Sequence, residues 1–390
     1  FRPKWIKYDI SINKWKLDST SLAKTIIDEN SILRMQENGE LQGYWIYNEL
    51  TGSWHPLSVE DIDNIVNSYF EFPADPQYKT PGMYALDQQT AKNQRDVLKL
   101  VLSKVKGASP KLTIDKQPPY LIHFKDYDFD LKGWNIQPFN PDNYFISDRN
   151  YNLQEDVLNL KNLIFEDGGK ELIDSLAPES TNWLLKSLGD KETLQTFLEC
   201  LGLSFLNFQP EQFVIFIKSK GGTGKSVLFN YIKTLFGIDN DVIQLDFEHI
   251  IKDNSFDVSE LRRKSINLTS DAKATYIPTE AVSIIKALSG NDARNLPQKF
   301  QKTADFVNHA NLWFNCNKVP RLSPDSYDNS IARRFIIFDW LYIHNFQWEK
   351  KENVFQKERG ELVLKALYYA KLALEMQPKK YDYLSTPVHI

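Results

Sequence analysis

The sequence predicts an α/β fold, in which helices flank a parallel β-sheet and mixed α+β and helical regions come before it. One observation is the segment 214–217, Val-Ile-Phe-Ile, because continuous β-branched and aromatic residues are typical of a strand covered on both faces. Another is that two more apolar segments follow: 265–271 ends in a carboxylate, and 310–320 ends in polar asparagines before a proline. Ligands bind at the carboxyl ends of strands in such sheets, so the sequence predicts a functional site there.

A glycine-rich turn follows the first of these strands and opens onto a helix, with the sequence Ser-Lys-Gly-Gly-Thr-Gly-Lys-Ser over residues 219–226. Such a loop forms an anion site, because its N–H groups point inward and the helix dipole favours negative charge. Lys225 would reach the β- and γ-phosphates, and the Ser226 hydroxyl would take one position on Mg²⁺. The residues predicted to contact the phosphates of ATP are Gly221, Gly222, Thr223, Gly224, Lys225, Ser226 and Val227.

The loop departs from the usual pattern G-x-x-x-x-G-K-[ST] at one position, where Ser219 stands in place of the first glycine. The confirming context is present, because a buried strand precedes the loop and a helix follows it. We expect Ser219 to change the stiffness of the loop and not to abolish phosphate binding. The helix after the loop should end at Gly237, since glycine is the usual residue just past a helix.

Composition limits the classes of function. The 390 residues are enough for roughly two or three domains, and 42% hydrophobic with 25% charged residues is ordinary for a soluble globular protein. A net charge of −4 gives no general attraction to nucleic acid, so such binding would depend on local basic clusters. Cys200 and Cys316 favour buried free thiols in a reducing compartment. Without a bilayer-spanning segment or signal peptide, we expect a cytoplasmic protein with no membrane partner.

The chain is predicted to be divided into several regions. These are a mixed α+β N-terminal domain (1–150), a helical collar or linker (151–210), the P-loop domain (211–345) and a C-terminal helical segment (346–390). In the first region, Ser58 and Asp61 have capping-box spacing at the start of a helix. The aromatic residues Trp45, Tyr47 and Trp54 could stack on nucleic-acid bases, but packing in a core is the more general role of such residues.

Two polar residues at strand ends are candidates for the site. Asp271 and Asn317 each follow an apolar strand, so both would face the nucleotide from neighbouring strand ends. Two other segments share the pattern of a strand followed by an acid, and they end in Asp246 and Asp339. We prefer Asp271, because it lies between the glycine-rich loop and Asn317 in the chain.

The order of these motifs resembles that of the superfamily 3 helicases, in particular the poxvirus- and phage-type primase-helicases. The glycine-rich loop is similar to their Walker A motif, and 257–271 is similar to the strand that delivers the Walker B acid. The hexapeptide 315–320, Asn-Cys-Asn-Lys-Val-Pro, resembles motif C, and 287–292 resembles a Leu-Thr-Gly-Gly-Asp turn. Arg-Arg-Phe at 333–335 resembles the arginine-finger segment. The family implies an AAA+-like P-loop NTPase fold.

The resemblance implies roles for the matching residues. Lys225 would bind the β- and γ-phosphates, and Ser226 with Asp271 would hold Mg²⁺. Asn317 would contact the γ-phosphate or position the attacking water, with Asn315 as the alternative.

Further roles concern neighbouring subunits and DNA. Arg334 would be the finger inserted into the adjacent subunit's site, with Arg333 as the second candidate. A hairpin between the Walker B strand and motif C would reach DNA with Lys299, Phe300 and Lys302, because charged and aromatic groups suit contact with single strands.

The function implied by the resemblance is that of an ATP-driven replicative DNA helicase in a virus, phage or mobile element. It would move along single-stranded DNA at a replication fork as a ring, with six subunits in this family, inside the host cell, alongside a primase domain or partner. Two alternatives stay open. A non-unwinding P-loop ATPase that binds or marks a replication origin would accommodate Ser219 and a single Walker B acid. A small-molecule P-loop kinase would explain the loop but not the paired arginines.

Overall fold

A computed structural model describes most of the chain, which forms two compact units. The first comprises Phe1–Lys116 with Asn140–Ile146, and the second Gln117–Phe139 with Ser147–Ile390. The described residues are 4–37, 40–70, 90–106, 117–147, 149–154, 169–220, 222–237, 241–252, 255–262, 264–269, 272, 276–290, 292, 294–298, 301–323, 329–341 and 348–375.

The first unit combines antiparallel strands with helices, as predicted for this region. Its elements are β1 (Ile6–Asp9), β2 (Lys14–Leu17), α1 (Ser19–Glu29), β3 (Ile32–Glu37), β4 (Glu40–Asn48), β5 (Ser53–Leu57), α2 (Val59–Ser68) and α3 (Ala91–Lys106). Strands β3, β4 and β5 form an antiparallel sheet, and the helices bury their apolar faces in one cluster. The predicted capping box is confirmed, because the Asp61 N–H donates to the Ser58 hydroxyl at 3.0 Å and the Ser58 N–H to the Asp61 carboxylate at 2.9 Å.

The aromatic residues of this unit pack against one another. Trp54 is buried, and its indole N–H donates to the Pro141 carbonyl at 2.8 Å. Its ring lies 5.2 Å from that of Tyr47 and 6.3 Å from that of Tyr144. Trp45 is half-buried in the same cluster. The interpretation of Trp54 as a core residue is therefore confirmed.

The second unit contains the parallel sheet and its helices. Its elements are β6 (Leu121–His123), β7 (Asp128–Asp130), β8 (Asn135–Gln137), α4 (Gly169–Ser175), α5 (Pro178–Leu188), α6 (Lys191–Leu203), β9 (Val214–Lys218), α7 (Lys225–Phe236), β10 (Val242–Ile243), α8 (Phe247–Ile251), α9 (Ser255–Ser259), β11 (Ile266–Thr269), β12 (Tyr276–Ile277), α10 (Thr279–Leu288), β13 (Arg294–Gln298), β14 (Gln301–Phe306), β15 (Asn311–Cys316), β16 (Arg321–Leu322), α11 (Asn329–Ala332), β17 (Phe335–Asp339) and α12 (Trp348–Glu375).

The predicted fold class is confirmed by a five-stranded sheet in the order β10-β11-β15-β9-β17, in which every neighbouring pair is parallel. Strand β9 pairs with β15 on one side and with β17 on the other. Ile215 and Ile217 point into one apolar cluster, whereas Val214 and Phe216 point into a second. This burial on both faces explains why the strand has no polar alternation.

A helical layer covers one face of the sheet and includes α5, α6, α7 and α12. The Tyr231 hydroxyl of α7 donates to the Phe355 carbonyl of α12 at 3.1 Å and lies 3.1 Å from the Ser180 hydroxyl of α5. Burial raises the pKa of Tyr231, so its hydroxyl stays protonated at neutral pH. Glu358 of α12 accepts the Ser180 N–H at 2.7 Å. The first turn of α5 and the helix after the glycine-rich loop are thus joined to α12. The four-region division proposed from the sequence stays a prediction.

Cys200 and Cys316 are buried free thiols, as the sequence predicts. None of the described helices is both long enough and apolar enough to cross a membrane.

The close approach of α6 to α12 makes a prediction about stability. A Cβ atom added at Gly202 would lie 2.2 Å from the Ala366 carbonyl oxygen, so Gly202→Ala must push the helices apart. Overpacking of this kind costs about 1–3 kcal/mol, and we expect a lower midpoint of thermal unfolding. In the control Gly43→Ala the new Cβ meets nothing within 4 Å. Equal unfolding midpoints for both variants would contradict this interpretation.

Candidate functional site

The glycine-rich loop joins β9 to α7 at the carboxyl end of the parallel strands. Gly222 and Gly224 have φ angles of 77° and 86°, in the left-handed region that glycine adopts without strain. Helix α7 begins at Lys225, and within the described residues no side chain caps its N-terminus. The N–H groups of its first turn are therefore oriented for an anion. Gly221 lies outside the described residues.

Lys225 and Asn317 come together over this loop. The Lys225 side chain is buried, and its ammonium donates to the Ser219 carbonyl at 2.6 Å and to the Asn317 Oδ1 at 2.9 Å. The Lys220 carbonyl accepts a longer hydrogen bond at 3.4 Å. Three neutral acceptors thus bind a positive charge beside the N-terminus of α7. Phosphate oxygens are stronger acceptors for this charge than neutral oxygens are.

The two asparagines of the second polar strand end differ in exposure. Asn315 lies in β15 opposite Ile217 of β9, and its side chain is buried. Its Oδ1 has no hydrogen-bond partner among the described residues, and its backbone carbonyl accepts the Ala272 N–H at 2.7 Å. Asn317 follows the strand, is exposed and contacts Lys225. Of the two candidates, Asn317 is the one at the carboxyl end of the strands, where a nucleotide would bind.

The strand that leads to the preferred acid lies next to β15. Thr269, the last residue of β11, is in register with Phe314 of β15. Asp271 lies outside the described residues, so its role in the site stays a prediction. Of the alternatives, Asp339 forms an ion pair with Lys218 at 2.8 Å, and Asp246 precedes α8 beyond the edge strand β10.

Metal binding rests on residues predicted from the motif. No group of three or more His, Cys, Asp or Glu side chains that could hold a metal occurs in the described ranges. Ser226 lies in the first turn of α7, directly after Lys225. A hydroxyl and a carboxylate with phosphate oxygens form the oxygen donor set that Mg²⁺ prefers.

The two arginines lie at the opposite end of the sheet, where the parallel strands begin. The Arg334 carbonyl accepts the Val214 N–H at 2.6 Å, at the first residue of β9. Its guanidinium is buried and donates to Gln212 Oε1 at 2.6 Å and to the Ser289 hydroxyl at 3.2 Å. Arg333 is exposed and donates to the same Gln212 oxygen at 3.2 Å. Sequence reasoning missed Gln212, for which no local signal exists.

The length of β9 separates these arginines from the loop of the same chain. The strand has five residues, which corresponds to about 16 Å. The arginine pair and Lys225 therefore lie at opposite ends of the parallel strands.

The predicted hairpin is present between α10 and β15. Strands β13 and β14 pair antiparallel, and Gln298 is in register with Gln301. Lys302 belongs to β14, whereas Lys299 and Phe300 lie outside the described residues. Their contact with DNA stays a prediction.

Ser219 is accommodated by the loop. Its hydroxyl donates to the Lys220 carbonyl at 3.0 Å and is hydrogen-bonded to the Thr223 hydroxyl. Its backbone N–H donates to the Cys316 carbonyl at 3.1 Å, which joins the loop to β15. The Thr223 carbonyl accepts the indole N–H of Trp340, another contact that sequence reasoning missed. The only local signal for Trp340 was its place directly after an apolar strand.

The model of a family of unknown function, DUF5906, matches residues 217–334. No curated protein matches the sequence. The chain is similar to the apo structure of the NrS-1 C-terminal region (305–718), with a TM-score of 0.49 and 14% identity over 95% of this chain and 72% of that chain. An A-form apo structure of the same region has a TM-score of 0.46 at 14% identity, over 90% and 70% of the two chains.

A third similar structure is a ligand-bound JCV helicase, with a TM-score of 0.35 and 14% identity over 83% of this chain and 91% of that chain. In this chain, the order of the sequence motifs resembles that of the superfamily 3 helicases.

The contacts of the loop predict the effect of restoring the usual glycine. Lys225 binds the backbone carbonyl of Ser219, and Ser219→Gly keeps that carbonyl. The lost hydroxyl contacts lie within the loop, so we expect the affinity for Mg·ATP to change by less than about threefold. Isothermal titration calorimetry measures this affinity, with Lys225→Ala as the control that removes the buried ammonium. A change of tenfold or more in Ser219→Gly would contradict the expectation.

Proposed function

We propose that this chain is the ATPase core of a ring-forming replicative DNA helicase, which uses ATP to move along single-stranded DNA inside a host cell. The observation that supports the proposal most strongly is the 2.9 Å contact between the Lys225 ammonium and Asn317 Oδ1. It brings the lysine of a glycine-rich loop to the polar end of the adjacent strand. This arrangement suits a nucleoside triphosphate, since Lys225 would bind the phosphates and Asn317 would contact the terminal phosphate.

The chemistry proposed for the site uses residues of three strand ends. Lys225 would exchange its carbonyl acceptors for the β- and γ-phosphates, and the N–H groups at the start of α7 would bind the same anion. Ser226 and Asp271 would hold Mg²⁺, which neutralises phosphate charge when bound. Asp271 would also orient the attacking water, and Asn317 would hold that water or the γ-phosphate.

An arginine from a neighbouring subunit would complete the site. The pair at 333–334 lies across the sheet from the loop of its own chain, by about 16 Å. Arg333 is exposed, whereas Arg334 is buried on Gln212 and Ser289. We assign the contact with the neighbour's phosphate to Arg333 and a supporting role to Arg334. A closed ring, hexameric in the family that the motifs resemble, provides every loop with such a neighbour.

Contact with DNA is assigned to the hairpin of β13 and β14. It follows α10 in the chain and leads into β15, the strand that carries Asn317. A movement of β15 during hydrolysis would therefore be passed to the hairpin. Lys299 and Lys302 would contact DNA phosphates and Phe300 would stack on a base.

The acid is tested by an exchange that keeps its shape. Asp271→Asn should reduce ATP turnover by at least about 100-fold while ATP binding is retained, because a group that orients and activates water is lost. Turnover is measured with and without single-stranded DNA, which should stimulate the unmodified protein. Asp339→Asn is the matched control, since that carboxylate binds Lys218.

Three results would count against this assignment. Unchanged turnover in Asp271→Asn would exclude Asp271, and loss in Asp339→Asn alone would favour the rival acid. Equal turnover with and without DNA, together with a monomeric mass in gel filtration, would favour a small-molecule kinase over a helicase.

The arginine is tested by mixing two inactive variants. Lys225→Ala lacks the phosphate ligand and Arg333→Ala lacks the finger, so each alone should hydrolyse ATP at less than about 1% of the normal rate. Random mixing places the intact loop of one variant beside the intact arginine of the other at roughly a quarter of the interfaces. Hydrolysis should then recover to about that fraction. No recovery, with rings still formed, would contradict a finger acting between subunits.

A further inference from the structure

Trp340 donates hydrogen bonds to both ends of the glycine-rich loop. It follows β17 directly, and only 3% of its surface is exposed. Its backbone N–H donates at 2.8 Å to the carbonyl of Lys218, the last residue of β9. Its indole N–H donates at 3.0 Å to the carbonyl of Thr223, which lies just before α7. One residue therefore holds both the entry and the exit of the loop.

The contact with Thr223 determines the orientation of one peptide unit. A trans peptide is planar, and its C=O and N–H groups point in opposite directions. Because the indole holds the Thr223 carbonyl, the N–H of Gly224 in the same unit points away from Trp340. The neighbouring glycines have positive φ angles, and glycine changes readily between backbone conformations. A peptide whose carbonyl is not held can rotate and remove its N–H from an anion site.

Packing alone does not require a tryptophan at this position. The Trp340 ring meets Trp183 edge-on with 5.4 Å between centroids, and Trp183 lies 5.2 Å from Phe355 of α12. A phenylalanine ring would also fill apolar space of this kind. A buried indole N–H needs a hydrogen-bond partner, and here that partner is a carbonyl of the loop.

We propose that Trp340 is a positioning residue for phosphate binding, whose indole N–H orients the Thr223–Gly224 peptide so that the Gly224 N–H faces the bound phosphate. The inference rests on the proposed function, because it assigns Trp340 a part in binding the nucleotide. A loop that is already ordered loses less conformational entropy when ligand binds. This benefit applies equally to the ground state and the transition state, so its loss raises KM and leaves kcat unchanged.

The test is Trp340→Phe in the full chain, which removes the N–H and keeps a ring. We expect the affinity for Mg·ATP and Mg·ADP, measured by calorimetry, to fall about 5- to 10-fold, the usual effect of one hydrogen bond. The KM for ATP should rise by a similar factor, with kcat within about twofold of normal.

Trp313→Phe is the matched control. Trp313 belongs to the same apolar cluster, is fully buried, and donates its indole N–H to the Ser204 hydroxyl at 3.1 Å. Its exchange removes the same ring volume and the same type of hydrogen bond, but not at the loop. We expect this variant to bind nucleotide with normal affinity even if its unfolding midpoint falls.

A second measurement needs no nucleotide. Amide hydrogen exchange in the free protein should become about tenfold faster for residues 219–226 in Trp340→Phe, because the loop opens more often. The same residues should exchange at the normal rate in Trp313→Phe.

The outcomes separate this inference from the proposed function. Normal affinity and normal exchange in Trp340→Phe would overturn the inference while the proposed function stands. Equal losses in both tryptophan variants would also overturn it, since general destabilisation would then explain them. An unmodified chain that binds no nucleotide would overturn the proposed function and this inference together, whatever the exchange rates are.

Discussion

The burial of β9 on both faces and along both edges is the constraint on which the candidate site depends. Its side chains alternate between two apolar clusters, and β15 and β17 pair with its two edges. Because β9 is fixed in this way, the position of the glycine-rich loop that follows it is fixed as well. Each flanking strand then contributes one polar contact at that place, Asn317 to the Lys225 ammonium and Trp340 to the Thr223 carbonyl.

The same sheet separates two sets of positively charged side chains. Lys225 lies at the carboxyl end of the parallel strands, beside the glycine-rich loop, and the arginine pair lies at their amino end, where both arginines donate to one Gln212 oxygen. Hydrogen bonds to charged groups are worth about 1.5–3 kcal/mol, so the contacts with Gln212 and Ser289 stabilise the buried position of Arg334. Within one chain, the arginine pair therefore lies at the opposite end of the parallel strands from Lys225.

Local features were well predicted because they depend on neighbours a few residues away. The capping box at Ser58, the buried strand at 214–217 and the end of α7 at Gly237 all agree with the structure. The contacts of Gln212 and Trp340 were missed, because their partners are 122 and 117 positions away in the chain. Spacing carries no information on such pairs. Gly221, Asp271, Lys299 and Phe300 stay predictions, since they lie outside the described residues.

The sequence alone was sufficient for the fold class, for a glycine-rich loop between a buried strand and a helix, and for naming the candidate polar residues. These follow from side-chain type and short-range spacing, which govern strands, turns and helix ends. The folded chain was needed to show that Asn317 and not Asn315 reaches Lys225, and that Arg333 is exposed while Arg334 is buried. The two asparagines, like the two arginines, have the same side-chain chemistry and nearly the same place in the sequence. Only the packing of the folded chain decides which member of each pair is exposed and which is buried.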